Sequence, residues 1–310
     1  MIYSLFQVVL PVFIIVGGGY SVVKLKILSD RDIEGILKFS QTIAIPIFLF
    51  LSMLNLDLST IFDWRILFSF FFGAILCFFL GVVGSRIIFN CTIGESIAIG
   101  FCILFSNAVL LGLPITKLAY GTNALGPNLA IISVNAPICY LIGISAMEFF
   151  GTEKKSLKKL IGNIFRTVTS NNITMSLIIG LLFNYLGVQI FPTINIALNL
   201  ISAGAVPIAL FGLGGVIVQY QLAQNMKKVG LISIFSLIIH PLLTLTIGKF
   251  GFDLPLEALQ SIIITAAMAP GINAFIFASI YEKEIDVAAA AILVCTPLSI
   301  CAASVWITLL

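Results

Sequence analysis

The sequence is short of charged side chains. Only 9% of its 310 residues are Asp, Glu, Lys or Arg, whereas an average soluble domain has about 25%. Hydrophobic residues make up 60%, and no soluble core of this size could bury so much apolar surface. We therefore predict an all-α polytopic membrane protein. The net charge of +3 is too small to indicate a nucleic-acid partner.

The side chains needed for most catalytic chemistries are also scarce. His240 is the only histidine, and the six cysteines form no Cys-x-x-Cys pair and mostly lie in apolar runs, as packing residues do. The sequence contains no Gly-x-x-x-x-Gly-Lys phosphate loop, no zinc-ligand cluster and no nucleophile–base arrangement. We therefore predict no enzyme, no metal site and no cofactor, and a sensor or membrane enzyme is disfavoured.

The apolar runs predict ten membrane-spanning helices, because a span needs about 20 mostly apolar residues. No acidic residue falls near the middle of a predicted span, which weakens a carboxylate-based sodium or proton site. The predicted spans are 2–23, 32–54, 64–89, 95–119, 124–149, 172–188, 192–218, 228–249, 257–280 and 286–309.

The distribution of Lys and Arg predicts the orientation, because these residues accumulate in cytoplasmic loops. With the amino terminus outside, thirteen of the sixteen basic residues lie on the inner side, and only Arg65, Lys117 and Lys249 do not. We therefore expect a multi-pass protein of the plasma or inner membrane, with both termini extracytoplasmic and a basic cytoplasmic loop over 151–170.

The two halves of the chain resemble each other. The run Ala44-Ile45-Pro46-Ile47 recurs 161 residues later as Ala205-Val206-Pro207-Ile208, and the same shift places Tyr120 on Tyr281. A shift of 160 places Pro137 on Pro297. Each half, 1–150 and 171–310, has five predicted spans. Because five is odd, the second repeat is inverted relative to the first, as in many secondary transporters.

Spans four and nine each carry an amide, a glycine and a proline near mid-membrane. Proline removes a backbone donor and clashes with the preceding turn, so both helices are expected to break and to cross. The amides could then donate to an anionic solute at the crossing. Packing kinks with internally satisfied amides are the alternative. The residues are Asn107, Gly112 and Pro114 in span four and Pro270, Gly271 and Asn273 in span nine.

Asn171, Lys117 and His240 are weaker candidates for the site, and Pro46 has two interpretations. Pro46 in span two could shape the wall of the site or only bend its helix. His240 in span eight could carry a proton or serve packing, since intramembrane ionisable residues are functional candidates. Lys117, three residues beyond Pro114, could attract an anion or extend to the outer surface.

Taken in order, several motifs resemble those of the auxin efflux carrier family. They span nearly the whole chain. Each motif alone is only moderately specific for the family, but their occurrence in this order is specific for it. They are Tyr20-Ser21-Val22-Val23-Lys24, Ile45-Pro46, Asn107 to Ile115 with Lys117 and Tyr120-Gly121, Asn171 at the start of span six, Leu210-Phe211-Gly212-Leu213-Gly214, and Gly271-Ile272 with Phe275 to Ala278, Tyr281 and Pro297.

The resemblance implies a fold similar to bile-acid symporters and sodium–proton antiporters, with helices 4 and 9 crossed. Helices 1, 2, 6 and 7 would form a scaffold, and helices 3–5 and 8–10 a domain that moves like an elevator. Family members often form dimers. The asparagine that matches Asn107 is implied to contact the substrate carboxylate, and the position of Ile45-Pro46 is implied to line the site.

The sequence departs from plant members of that family. Its cytoplasmic loop is only about twenty residues long, which suggests a prokaryotic member, and Ala274 stands where plant members have the ninth-span proline. We expect a secondary transporter or uniporter of small organic acid anions, either auxin-like monocarboxylates or dicarboxylates such as malate or malonate. A sodium- or proton-coupled symporter of the same fold and a passive anion pore are the alternatives.

Overall fold

The computed structural model describes residues 2–55, 63–122, 124–150, 172–218 and 225–310, and all regular structure in these ranges is helical. The predicted span 64–89 coincides with an observed helix, and 286–309 does so to within a residue. The helices are α1 (Ile2–Lys24), α2 (Asp30–Leu54), α3 (Trp64–Phe89), α4 (Ile93–Leu104), α5 (Ala108–Tyr120), α6 (Leu125–Phe150), α7 (Asn172–Tyr185), α8 (Pro192–Ile217), α9 (Met226–Gly251), α10 (Leu256–Ala266), α11 (Ile272–Tyr281) and α12 (Ile285–Leu309).

Six of these helices, each 25 or 26 residues long, are long and apolar enough to cross a membrane: α2, α3, α6, α8, α9 and α12. Within the described ranges the other helices, apart from the 23-residue α1, are shorter apolar segments of 10 to 17 residues. A helix of 26 residues rises about 39 Å, which exceeds the ~30 Å hydrocarbon core. The protein is therefore a multi-pass membrane protein.

Three wide π turns adjoin prolines in these helices. The turns Ser40–Ala44, Ala108–Gly112 and Phe235–Ile239 each end two residues before a proline, which is Pro46, Pro114 and Pro241 in turn. A proline lacks the N–H donor, and its ring clashes with the carbonyl four residues earlier. A turn with one extra residue moves that carbonyl away, so the helix continues through the proline.

The described helices divide into two compact units. The first unit contains α3 to α6 and α9 to α12, and the second contains α2, α7, α8 and α1 from Leu10 onward. In the first unit, Phe70, Phe78, Phe101 and Phe277 are among the largest fully buried side chains. The rings of Phe101 and Phe277 stack with their centroids 3.9 Å apart, which joins α4 to α11.

In the second unit, α1 and α8 pack with their backbones almost in contact. A Cβ at Gly19 would lie 1.9 Å from the carbonyl oxygen of Phe211, and one at Gly214 would lie 1.9 Å from that of Val16. Only glycine allows this approach, and small residues commonly have this role between membrane helices. The α7 helix packs on the later part of α2, where Asn184 donates to the Met53 carbonyl over 2.8 Å.

Candidate functional site

Two interrupted helices of the first unit are joined at their interruptions. Between α4 and α5 the chain is not helical, and Ser106 there forms an antiparallel bridge with Pro270, which lies between α10 and α11. The Asn107 N–H donates to the Ala269 carbonyl over 2.8 Å, and the Gly271 N–H donates to the Phe105 carbonyl over 2.9 Å. Each break thus provides hydrogen-bond partners for some backbone groups of the other. Non-helical backbone within a membrane needs such partners.

The first break lies earlier than Pro114 indicates. The α4 helix ends at Leu104, and Pro114 stands in the helical part of α5, two residues after the π turn Ala108–Gly112. Because the wide turn accommodates its ring, Pro114 bends the chain without ending the helix. Pro270, by contrast, lies in the non-helical segment itself.

Asn107 is the N-cap residue of α5, directly before Ala108, and it is 6% exposed. Its side-chain Oδ1 accepts the Leu110 N–H over 3.1 Å, and its backbone carbonyl accepts the N–H groups of Leu111 and Gly112. Only the amide oxygen can accept from an N–H, so this cap fixes the orientation of the side chain. Among the described residues no hydrogen bond of its Nδ2 is found, which leaves that nitrogen as a donor.

Asn273, which lies just after the second break, is oriented in a comparable way. It is half-buried near the start of α11, and its Oδ1 accepts the Tyr140 hydroxyl of α6 over 3.2 Å. This contact uses the amide oxygen and leaves the amide nitrogen as the group that can donate. Two neutral donors next to the breaks favour an anionic solute without the cost of burying a fixed charge.

The helix ends add to this preference. The α5 and α11 helices both begin at the breaks, at Ala108 and Ile272. In α5 the N–H groups of Ala108 and Leu110 already donate to the Ser106 carbonyl and to Asn107 Oδ1, so of its first three N–H groups only that of Val109 has no hydrogen-bond partner among the described residues. In α11 the N–H groups of Ile272 and Asn273 have no such partner there either. Helix amino termini carry partial positive charge and commonly bind carboxylate or phosphate groups. The two breaks therefore combine amide donors with helix amino termini.

Side chains that the sequence did not single out as site residues surround the breaks. Asn128 is fully buried and donates to the Thr265 hydroxyl over 2.6 Å, and Thr265 donates to the Ser261 carbonyl over 2.8 Å. A Cβ at Gly112 would lie 3.5 Å from Asn128 Nδ2, so this glycine lets α5 approach that network. The spacing of Asn128 and Asn135 on α6, two helical turns apart, was the available signal.

Asn135 belongs to a second polar contact near the same break. It is 5% exposed, and its Oδ1 accepts the Cys139 thiol over 3.4 Å. The thiol also lies 3.9 Å from the carbonyl oxygen of Leu104, the last residue of α4. The α6 helix therefore contacts the carboxyl end of α4 as well as Asn273.

The remaining predicted residues are distributed over both units and a segment that the structure does not describe. Ile45 and Pro46 are buried in α2 of the second unit, and Asn171 lies outside the described residues. Lys117 is exposed on α5. His240 is fully buried in the first unit, and its Nε2 lies 3.2 Å from the Phe70 carbonyl oxygen.

A polar cluster of the first unit lies at the start of α4. Ligand atoms of Cys91, Glu95 and Glu284 lie within 4.8 Å of one another, and burial raises the pKa of the Cys91 thiol. The Lys228 ammonium forms an ion pair with Glu284. This ion pair joins α9 to the turn before α12.

Replacing Tyr140 by phenylalanine tests the orientation of Asn273. The change removes one hydroxyl and keeps the ring, so the Asn273 amide loses its hydrogen bond and can rotate. We expect an about tenfold weaker apparent affinity for a carboxylate and little change in melting temperature, measured by ligand-induced thermal shift. Tyr185→Phe, on an exposed side chain of the second unit, is the control. An unchanged affinity would show that Tyr140 does not position the amide.

The fold and the site define a class: a multi-pass membrane protein with a buried polar site at two joined helix breaks. The chain matches the family described as "Membrane transport protein" over residues 4–307 and therefore belongs to this family of membrane transporters. The match covers nearly the whole chain and confirms the resemblance to the auxin efflux carriers. The family is one of transporters and not of enzymes.

Two relatives give the comparison more detail. The chain is 22% identical over 312 residues to an uncharacterised transporter of Methanothermobacter thermautotrophicus, covering 97% of this chain and 96% of the relative. It is also 22% identical over 209 residues to a protein of Rhizobium meliloti named as a candidate malonate transporter. That alignment covers 67% of this chain and 65% of the relative, slightly less than two thirds of its length.

Proposed function

We propose that the protein is a secondary transporter or uniporter of small organic acid anions, which binds its substrate where the two helix breaks meet. The observation that carries the proposal is the pair of backbone hydrogen bonds between Asn107 and Ala269 and between Gly271 and Phe105. These bonds bring two helix amino termini to one place inside a chain that belongs to a transporter family.

The amides give the site its preference for anions. Asn107 and Asn273 direct their oxygens to Leu110 and Tyr140 of the protein, so their nitrogens remain to donate to a carboxylate. Amide and backbone donors are uncharged, so they favour an anion while binding it less strongly than a lysine or arginine would. Gly112, Pro114, Pro270 and Gly271 shape the breaks around this site.

The proposed architecture is ten spans in two inverted repeats, with α4–α5 and α10–α11 as the crossed pair. In support, α5 ends at Tyr120 and α11 ends at Tyr281, the tyrosines related by the 161-residue shift. Pro137 and Pro297, related by 160 residues, both lie inside long helices. Interrupted helices in matching positions of two repeats are typical of secondary transporters.

The proposed mechanism is alternating access by an elevator-like movement. The first unit, which contains the breaks, would carry the substrate, and the second unit would be the scaffold. The division into these two compact units supports this proposal. The second unit consists of α2, α7, α8 and most of α1, which correspond to the predicted scaffold spans 1, 2, 6 and 7. We further propose a homodimer in the cell membrane, with both termini extracytoplasmic.

The proposed substrates are malonate, malate and related small carboxylates, or an auxin-like monocarboxylate. The name of the Rhizobium meliloti relative supports a dicarboxylate. A dicarboxylate suits two amide donors and two helix amino termini, because each carboxylate group can take one set.

The test is uptake of radiolabelled malonate into proteoliposomes that contain the purified protein. We expect uptake that saturates with malonate concentration and is accelerated by unlabelled malonate on the opposite side, as a carrier requires. Monocarboxylates and an uncharged amide of similar size serve as competitors. Absence of uptake for every carboxylate tested, with folded protein in the vesicles, would refute the proposed substrate class.

Two variations of this assay separate the mechanisms. Flux that never saturates and shows no exchange would identify a passive pore. Replacing sodium by another monovalent cation at constant pH tests sodium coupling, and changing pH at constant sodium tests proton coupling. Flux that responds to neither replacement indicates a uniporter.

A further inference from the structure

The second unit has an open groove that the transport mechanism does not use. It lies between α1, α2 and α8 and has a volume of about 910 Å³. That volume is at the upper end of the range for small-molecule pockets, about 300 to 1,000 Å³. Its walls are mainly apolar and include Ile15, Leu28, Ile36, Phe39, Ile208 and Phe211.

Gly35, which has no side chain, lines the groove. A Cβ at Gly35 would meet no atom within 4 Å, so the protein itself does not fill this space. Gly35 is exposed, as is Phe39 one turn further along α2. In a bilayer, an apolar groove of this kind is filled by hydrocarbon chains.

The mouth of the groove carries an arginine. Arg31 and Asp32 line it at the start of α2, where Asp32 accepts the N–H of Ser29 over 2.9 Å and its hydroxyl over 2.6 Å. This capping box engages the Asp32 carboxylate. Among the described residues Arg31 forms no ion pair within 4.0 Å, so its guanidinium can hydrogen-bond a ligand at the mouth.

The surroundings of Arg31 are of mixed sign with a small positive excess. Lys24, Lys26 and Lys38 accompany it, against Asp30, Asp32 and Glu34. The orientation proposed above places this end of the helices at the cytoplasmic face, where anionic lipids concentrate. An arginine binds a phosphate through two parallel N–H donors, which a lysine cannot provide.

We propose that this groove holds one anionic phospholipid, with an acyl chain between α1, α2 and α8 and its phosphate on Arg31. The apolar walls favour a lipid over a free phosphate ion, which would leave them bare. A second copy of the chain fits less well, because a self-interface would bury the charged groups around Arg31.

The experiment measures lipid binding to the purified full-length protein by native mass spectrometry and by thermal unfolding. The probes are phosphatidylglycerol, phosphatidylcholine and inorganic phosphate. We expect phosphatidylglycerol to remain bound as one molecule and to raise the melting temperature. Gly35→Leu should abolish this binding by filling the groove. Arg31→Gln should weaken it about tenfold, to the level of phosphatidylcholine.

Matched variants separate these effects from general damage. Gly230→Leu is the control for Gly35→Leu, because a Cβ at Gly230 in the first unit also meets no atom within 4 Å. Both changes replace a helical glycine by a better helix former, so neither should impair folding. Lys38→Gln is the charge control for Arg31→Gln, and it should bind phosphatidylglycerol as the wild type does.

Four results would overturn the proposal. The first is wild-type lipid binding by Gly35→Leu, and the second is an unchanged preference for phosphatidylglycerol in Arg31→Gln. The third is stabilisation by inorganic phosphate equal to that by the lipid, which would identify a free-anion site. The fourth is a change of oligomeric mass in Gly35→Leu, which would identify an interface between copies. None of these readouts depends on substrate transport.

Discussion

Asn107→Ala should reduce carboxylate uptake about ten- to a hundredfold while the protein remains folded. The change removes the amide donor of a buried side chain, and hydrogen bonds to charged groups contribute about 1.5 to 3 kcal/mol. It also removes the cap on Leu110, at a cost of about 1 kcal/mol to helix stability. Uptake of radiolabelled malonate and the melting temperature of the same preparation are the measurements.

Asn107→Asp distinguishes the donor from the cap. Aspartate keeps an oxygen that can accept the Leu110 N–H, but it replaces the donating nitrogen by a negatively charged oxygen. We therefore expect a loss of uptake at least as large as in Asn107→Ala, with a smaller change in melting temperature. Asn199→Ala, on an exposed side chain of α8, is the matched control. Full transport by both Asn107 variants would exclude this residue from the site.

Gly214→Ala should destabilise the second unit severely. The added methyl would lie 1.9 Å from the Val16 carbonyl oxygen, so α1 and α8 would have to separate along their contact. Forced overpacking costs about 1 to 3 kcal/mol or more, because a backbone atom cannot rotate away as a side chain can. We expect a melting temperature lower by about 10 °C, or no folded protein in detergent.

Gly19→Ala should have the same effect from the other helix, because its methyl would lie 1.9 Å from the Phe211 carbonyl oxygen. Gly17→Ala is the control: it lies on the same helix, where a Cβ meets no atom within 4 Å. Alanine is a better helix former than glycine, so this variant should be at least as stable as the wild type. Equal melting temperatures for all three variants would contradict the close packing of α1 and α8.

The sequence was sufficient to predict the class of the protein and which two apolar segments are interrupted. Its apolar runs predicted the membrane helices, and the amide, glycine and proline residues of spans four and nine predicted interruptions there. The position of the first interruption was not predictable from Pro114. Whether a proline ends a helix depends on the preceding turn, and a π turn leaves no sequence pattern comparable to that of a cap.

Other parts of the site depend on contacts between distant segments. Tyr140 is 133 residues from Asn273, and Asn128 is 137 residues from Thr265. An amide in an apolar run shows only that a partner is needed, and the partner is determined by the packing of two helices. The groove at Gly35 has the same origin, because its walls come from three helices of the second unit.

The π turns before Pro46, Pro114 and Pro241 also bear on how the length of such a chain can change. A π turn contains one residue more than an α turn, and each residue rotates the helical face by about 100°. Replacing Pro114 by another residue and deleting one residue of Ala108–Gly112 would restore an ordinary helix. The face of α5 that meets Asn128 would keep its direction. A one-residue deletion elsewhere in α5 would turn that face away. These turns are therefore positions where insertions and deletions of one residue can be tolerated in a membrane helix.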